Sequence, residues 1–93
     1  MAERQVTIGW PDGLHARPAA VFCRAAAGVG VPVTVRKEGG DPVNAASMLG
    51  VLALGAEHGQ AIVLAAEGEG AEQALDRMAQ LVSRGLDELP APD

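Results

Sequence analysis

The sequence predicts an α+β fold, an open-faced two-layer sandwich in which three helices cover one face of a four-stranded antiparallel sheet in the order βαββαβα. Two observations support this prediction. Short segments alternate apolar with polar residues, as half-buried strands do, and the segments between them repeat apolar residues at helical spacing. No linker or internal repeat interrupts the pattern, so we expect residues 1–93 to form one domain.

The first strand is expected at Gln5–Trp10, where apolar and polar residues alternate. The turn-forming residues 11–13 end it. A helix follows at Ala16–Ala27, because apolar residues there share one face, and Gly28 lies where a C-terminal cap is needed.

The middle of the chain predicts a hairpin and a short helix. Val31–Arg36 alternates as a strand does, Lys37–Gly40 supplies glycine-rich turn chemistry, and Asp41–Asn44 is the expected return strand. Ala45–Leu54 has helical composition and ends at Gly55.

The last two elements are a buried strand and a long helix. Gln60–Ala66 is a nearly continuous apolar run, which suits a central strand. Apolar residues then recur at helical spacing from Ala71 to Leu89, and Pro90 and Pro92 are expected to stop this helix.

Composition excludes several classes of function. Trp10 and Phe22 are the only aromatic residues and the formal net charge is −5, so nucleic acid is not an expected partner. The single Cys23 and two histidines make a poor zinc site, and no metal is expected. The N-terminus has no apolar secretion signal and no run is long enough to insert into a membrane, so we expect a cytoplasmic protein.

The segment Gly13–Ala19 places a histidine, His15, where the first strand gives way to the first helix. The first amides of a helix, here those of Ala16 and Arg17, form a ready anion site and stabilise a dianionic phosphoryl group. The Arg17 side chain can add a forked donor to phosphate oxygens. The alternative, on helix geometry alone, is that His15 is a polar loop residue and Arg17 a solvated charge.

The residues Gly-Leu-His-Ala-Arg-Pro-Ala resemble the active-site signature of the HPr family of histidine phosphocarrier proteins. The resemblance implies that His15 accepts a phosphoryl group on Nδ1 from enzyme I, which obtains it from phosphoenolpyruvate, and donates it to enzyme IIA domains of sugar permeases. It implies that Arg17 stabilises the phosphate and contacts partners. It implies no cofactor, and we expect a monomer.

A second stretch, Asn44–Leu52, resembles the family segment around a serine that a regulatory kinase modifies in some bacteria. Ser47 is therefore a candidate phosphorylation site, with a serine kinase as a further partner, or it simply caps a short helix. Kinase-regulated members commonly have a basic residue where this chain has Ala46.

The expected partner surface combines one face of the first helix with the second helix. Ala20 and Arg24 follow Arg17 at helical spacing, and the resemblance adds the apolar residues Met48, Leu49 and Leu52. The alternative for these three apolar residues is core packing.

Other functions remain alternatives. They are a regulatory paralogue that binds a transcription factor, a carrier in a nitrogen-linked or dihydroxyacetone kinase relay, and an independent histidine enzyme. The presence of His15 disfavours the first, and the small size of the chain disfavours the last. The other notable residue, His58, is expected to be an exposed turn residue without a function.

Overall fold

The computed structural model describes residues 2–89 and confirms the predicted α+β class and element order. The elements are β1 (Ala2–Thr7), α1 (Ala16–Gly28), β2 (Val33–Lys37), β3 (Val43–Asn44), α2 (Met48–Leu54), β4 (Ala61–Ala66) and α3 (Ala71–Arg84).

The sheet has the strand order β1-β4-β2-β3, and every neighbouring pair is antiparallel. The continuous apolar run forms the central strand β4, which pairs with β1 on one side and with β2 on the other. Strands β1 and β3 form the two edges. On the sheet face away from the helices, Val63 and Ala65 of β4 are still only 8% and 9% exposed, because side chains of the flanking strands β1 and β2 lie on either side of them. The central strand is therefore apolar on both faces and does not alternate.

The core lies between one face of the sheet and the helices. Alternate residues of β4, namely Ile62, Leu64 and Ala66, belong to the same buried cluster as Phe22 of α1 and Leu75 of α3. The exposed residues of β1 lie on the opposite face of the sheet, which carries no helix: Glu3, Gln5 and Thr7. The predicted arrangement of helices on one face is thus confirmed.

The first strand begins and ends earlier than the alternation at Gln5–Trp10 predicts. Its partner β4 begins opposite Thr7, so regular pairing cannot continue further along the chain. Ile8 instead makes two hydrogen bonds to the turn that precedes β4. Its amide donates to the Gln60 carbonyl, and its carbonyl accepts from the Gly59 amide. The alternation beyond Thr7 still predicts burial correctly, because Ile8 and Trp10 are 1% and 3% exposed.

The hairpin strands and the second helix are shorter than expected. Strand β2 starts at Val33, after Pro32, which has no amide hydrogen to donate to a neighbouring strand. Before α2, the Asn44 side chain accepts a hydrogen bond from the Ala46 amide at 2.8 Å, and the Asn44 carbonyl accepts one from Ser47 at 3.0 Å. This turn occupies residues 45–46, so the helix begins only at Met48.

The last helix ends at Arg84 instead of continuing to Leu89. Gly85 adopts the left-handed conformation with φ 63°, and its amide donates to the Leu81 and Val82 carbonyls, which closes the helix. Apolar spacing continued past this glycine because Leu86 and Leu89 still pack against the core. The predicted stop at Pro90 and Pro92 lies outside the described residues.

Cys23 lies on the inner side of α1 and is 6% exposed, so it packs as a small buried hydrophobe. Burial raises the pKa of its thiol, because a thiolate loses solvation in the core.

Gly9 brings the chain after β1 against the end of α3. Its amide donates to the Val82 carbonyl at 2.8 Å. A Cβ atom at this position would lie 2.2 Å from the Ser83 carbonyl oxygen, well inside van der Waals contact. The two backbones can therefore approach this closely only with glycine at position 9.

We expect Gly9→Ala to destabilise the fold by about 2–3 kcal/mol, because the added methyl group must displace backbone atoms. Gly28→Ala is the matched control, since nothing lies within 4 Å of a Cβ there and alanine favours the helix. Urea unfolding followed by circular dichroism measures both. Equal unfolding midpoints for Gly9→Ala and the parent would show that the close approach is not required.

Candidate functional site

His15 lies at the N-cap of α1, the position that the sequence predicts. Its backbone is extended, with φ −106° and ψ 160°, and its side chain is exposed and makes no capping hydrogen bond. The first amides of this 13-residue helix are thus left without a side-chain cap, and no acidic residue lies in the first turn of α1. The N-terminus of α1 therefore presents the positive end of the helix dipole, without a neutralising acidic side chain, beside an exposed imidazole.

The two residues before His15 hold the backbone of its loop in place. Leu14 is fully buried, and its amide donates to the Ala56 carbonyl at 2.9 Å. Gly13, at φ 70°, packs against the same segment, where a Cβ atom would lie 2.6 Å from the Ala56 oxygen. These contacts hold the chain immediately before His15 against the segment that follows α2.

Ala16 carries backbone strain. Its φ is +31°, and it is the only residue other than glycine with a positive φ among residues 2–89. A side chain with a Cβ atom avoids this region, and such a conformation costs about 1–3 kcal/mol. The strain lies between His15 and the first turn of the helix, so it coincides with the candidate anion site.

Arg17 follows in the first turn with its side chain 80% exposed. One of its guanidinium nitrogens, Nη2, lies 3.7 Å from Oδ2 of Asp87, which follows α3. The Arg17 guanidinium, at the start of α1, is thus paired with the carboxylate of Asp87. On the same helix, Ala20 is half-buried and Arg24 is exposed, so the predicted stripe reaches the surface.

Ser47 caps α2, which confirms the capping interpretation. Its Oγ accepts a hydrogen bond from the Gly50 amide at 3.2 Å. The N-terminus of α2 therefore has the side-chain cap that α1 lacks. A capping role does not conflict with modification, because Ser47 is only half-buried.

Three apolar side chains of α2 are exposed, and core packing is therefore not their main role. Met48 is 39%, Leu49 82% and Leu52 41% exposed, while Val51 faces the core. Helix α2 contacts α1, so this apolar patch lies beside the helix whose N-cap is His15. An exposed apolar patch of this kind is typical of interaction sites.

His58 is exposed in the turn after α2, as expected. The turn that contains His58 packs closely against Gly13 in the loop before His15, because a Cβ atom at Gly13 would lie only 3.1 Å from the His58 backbone nitrogen. No sequence pattern indicates this contact, and none indicates the ion pair between Arg17 and Asp87. The one local sign that the chain turns back after α3 is Gly85, a residue type that commonly ends helices.

No cluster of three or more potential metal ligands occurs among residues 2–89. In the same part of the chain, no helix has the length and apolar character needed to cross a membrane.

The chain is similar to known phosphocarriers over nearly its whole length. The family profile described as "PTS HPr component phosphorylation site" matches residues 2–84. The phosphocarrier protein HPr of Streptomyces coelicolor is 64% identical over 90 residues, with 97% of each chain covered. That of Haloferax volcanii is 45% identical, with 87% of this chain and 92% of the relative covered.

A solved structure gives the same result. The crystal structure of an HPr from Thermoanaerobacter tengcongensis superposes with a TM-score of 0.82 and is 35% identical. The superposition covers 92% of this chain and 98% of that one.

Proposed function

The chain belongs to the HPr family of phosphocarrier proteins of the phosphotransferase system, and on this premise we propose that His15 is its phosphoryl acceptor. A phosphocarrier is a protein cosubstrate and not a catalyst. In the proposed reaction, Nδ1 of His15 attacks phosphorus on phosphorylated enzyme I. The bond that joins the phosphoryl group to the donor breaks as the bond to His15 forms. The second transfer, to an enzyme IIA domain, repeats this exchange.

One observation carries the proposal: an exposed histidine at the N-cap of a helix whose first amides have no side-chain cap. A phosphoryl group on His15 would lie at the positive end of the helix dipole, near the amides of Ala16 and Arg17. The guanidinium of Arg17 would add a charged, forked donor. This arrangement stabilises the phosphorylated state without a pocket, because each partner supplies the rest of the site.

The proposed docking surface consists of Arg17, Ala20 and Arg24 on α1 together with Met48, Leu49 and Leu52 on α2. Cationic side chains and an apolar patch lie on two helices in contact, which suits a partner with an apolar centre and an acidic rim. We propose that residues 1–93 act as a single, monomeric, cytoplasmic domain that binds enzyme I and enzyme IIA proteins here.

We expect His15→Ala to abolish phosphoryl acceptance and to keep the fold, because the exposed imidazole contributes nothing to the core. The measurement is transfer of label from phosphoenolpyruvate through enzyme I, which should give an acid-labile, base-stable product in the parent. His58→Ala is the matched control and should accept label at the parent rate. A labelled His15→Ala protein would overturn the assignment.

Arg17→Ala should slow transfer more than Arg17→Lys does, because lysine keeps the charge but loses the forked geometry. Charged hydrogen bonds of this kind contribute about 1.5–3 kcal/mol, so we expect roughly a tenfold or greater loss for alanine. Initial rates at low salt test the order. Equal rates for all three proteins would show that Arg17 is only a solvated charge.

Titration of ¹⁵N-labelled protein with enzyme I should perturb the amide signals of the proposed docking surface. The open face of the sheet provides the internal control, because Thr7 and Thr34 lie away from the helices. If the perturbations instead clustered at these two threonines, the docking surface would be assigned to the wrong side of the molecule.

Ser47→Asp should slow phosphorylation of His15 several-fold, because a negative charge beside the docking patch repels a phosphorylated partner. Thermal stability should stay near that of the parent, because aspartate caps a helix as well as serine does. Ser47→Asn separates the two effects, since it also caps but adds no charge, and it should accept phosphate normally. If Ser47→Asp reacts as fast as Ser47→Asn, charge at this site does not regulate docking.

A further inference from the structure

Three side chains among residues 2–89 contain sulfur, and the fold shields two of them. Cys23 is buried on the inner side of α1, and Met78 is fully buried on the inner side of α3. Met48 is 39% exposed. In the part of the chain that the structure describes, Met48 therefore carries the one sulfur that a dissolved oxidant reaches without opening the core.

Met48 also lies at the centre of the expected contact with partners. It is the first residue of α2, next to the exposed Leu49 and one helical turn before the exposed Leu52. A leucine would supply similar apolar volume and a similar helix propensity at this position. What methionine adds is a thioether, which a two-electron oxidant converts into a polar sulfoxide.

From this contrast in exposure we propose that Met48 is a modification site: its oxidation by a peroxide weakens docking of the protein partners, and its reduction restores docking. The proposal rests on the proposed function of His15 and of the docking surface. It adds an oxidant and a sulfoxide-reducing protein to the ligands of that surface.

The chemistry needs only a peroxide in one direction and a dithiol in the other. Sδ of Met48 attacks one oxygen of hydrogen peroxide, the bond between sulfur and oxygen forms, and the bond between the two oxygens breaks. The second oxygen leaves as water, so sulfur loses two electrons and the peroxide gains them. In the reverse direction, a methionine sulfoxide reductase removes the oxygen as water while two thiols become a disulfide.

The position of Met48 makes the modification act on docking and not on folding. A sulfoxide oxygen accepts strong hydrogen bonds from water, and an apolar contact with a partner would remove that water without replacing it. The fold does not depend on the same side chain, because Val51 is the residue of α2 that is buried in the core. Oxidation of Met78 would instead place a polar group inside the core, where its burial protects it.

The first test needs no partner protein. The two methionines lie in separate tryptic peptides, 38–77 and 78–84, so mass spectrometry after treatment with dilute hydrogen peroxide measures each one separately. Met48 should gain one oxygen roughly tenfold faster than Met78, or more, because susceptibility follows exposure. The circular dichroism melting curve should not change while only Met48 is oxidised. Equal rates for the two methionines would overturn the proposal, whether or not His15 accepts a phosphoryl group.

The second test is transfer from enzyme I to carrier that has been treated with peroxide and then freed of it. Each protein is compared with its own untreated sample. Treatment should raise the KM of enzyme I for the parent about 5- to 20-fold with little change in kcat, because docking and not the phosphoryl exchange is altered. The matched control Met78→Leu should respond as the parent does, and Met48→Leu should not respond. An equal rise in Met48→Leu would overturn the proposal.

Reversal and a sulfoxide-like side chain complete the test. Met48→Gln, which has a polar end on a side chain of similar length, should raise KM more than Met48→Leu does. Methionine sulfoxide reductase with dithiothreitol should return the oxidised parent to its untreated KM. If the untreated parent accepts no phosphoryl group, the function proposed for His15 fails. If the parent is phosphorylated equally well before and after oxidation of Met48, only the control of docking by Met48 fails.

Discussion

Burial of Leu14 is the constraint on which the site depends. The side chain before the histidine is fully enclosed, its amide is bonded to Ala56, and Gly13 fits closely against the same segment. A buried residue directly followed by an exposed one at the start of a helix forces the imidazole outward at the N-cap. The strained φ of Ala16 is tolerated because both sides are fixed: the loop by Leu14, and the helix by the packing of Phe22. The packing of the core thus determines the position of His15 at the start of α1.

Helices α1 and α2 differ in what the side chain at the N-cap does. In α2, the N-cap side chain serves the helix, since Ser47 bonds the Gly50 amide. In α1, the N-cap side chain of His15 is exposed and makes no hydrogen bond to the first helix amides. A carrier must release its phosphoryl group as readily as it accepts it, so the group should be stabilised but not enclosed. On the proposed function, the first backbone amides of α1 and the exposed guanidinium of Arg17 would provide stabilisation of this moderate kind.

Most of the fold could be predicted from local patterns, because the order of strands and helices follows directly from the spacing of apolar residues. The motif around His15 also predicted its position at a helix start. Element ends were predicted less well: β1 ends opposite the residue where its antiparallel partner β4 begins, and this depends on pairing between residues far apart in sequence. The end of α3 was missed because apolar spacing continued to Leu89, although Gly85 marked the turn. The ion pair between Arg17 and Asp87 joins residues at opposite ends of the chain, and no local pattern encodes it.

The burial of Cys23 has a practical consequence for attaching dyes to the protein. Because Cys23 is buried in the core on the inner side of α1 and the pKa of its thiol is raised, its thiolate is scarce and inaccessible near neutral pH. A maleimide dye would react far faster with a cysteine introduced on the open face of the sheet than with Cys23. A donor dye and a labelled partner could then report docking in real time by energy transfer, with the native thiol left in place.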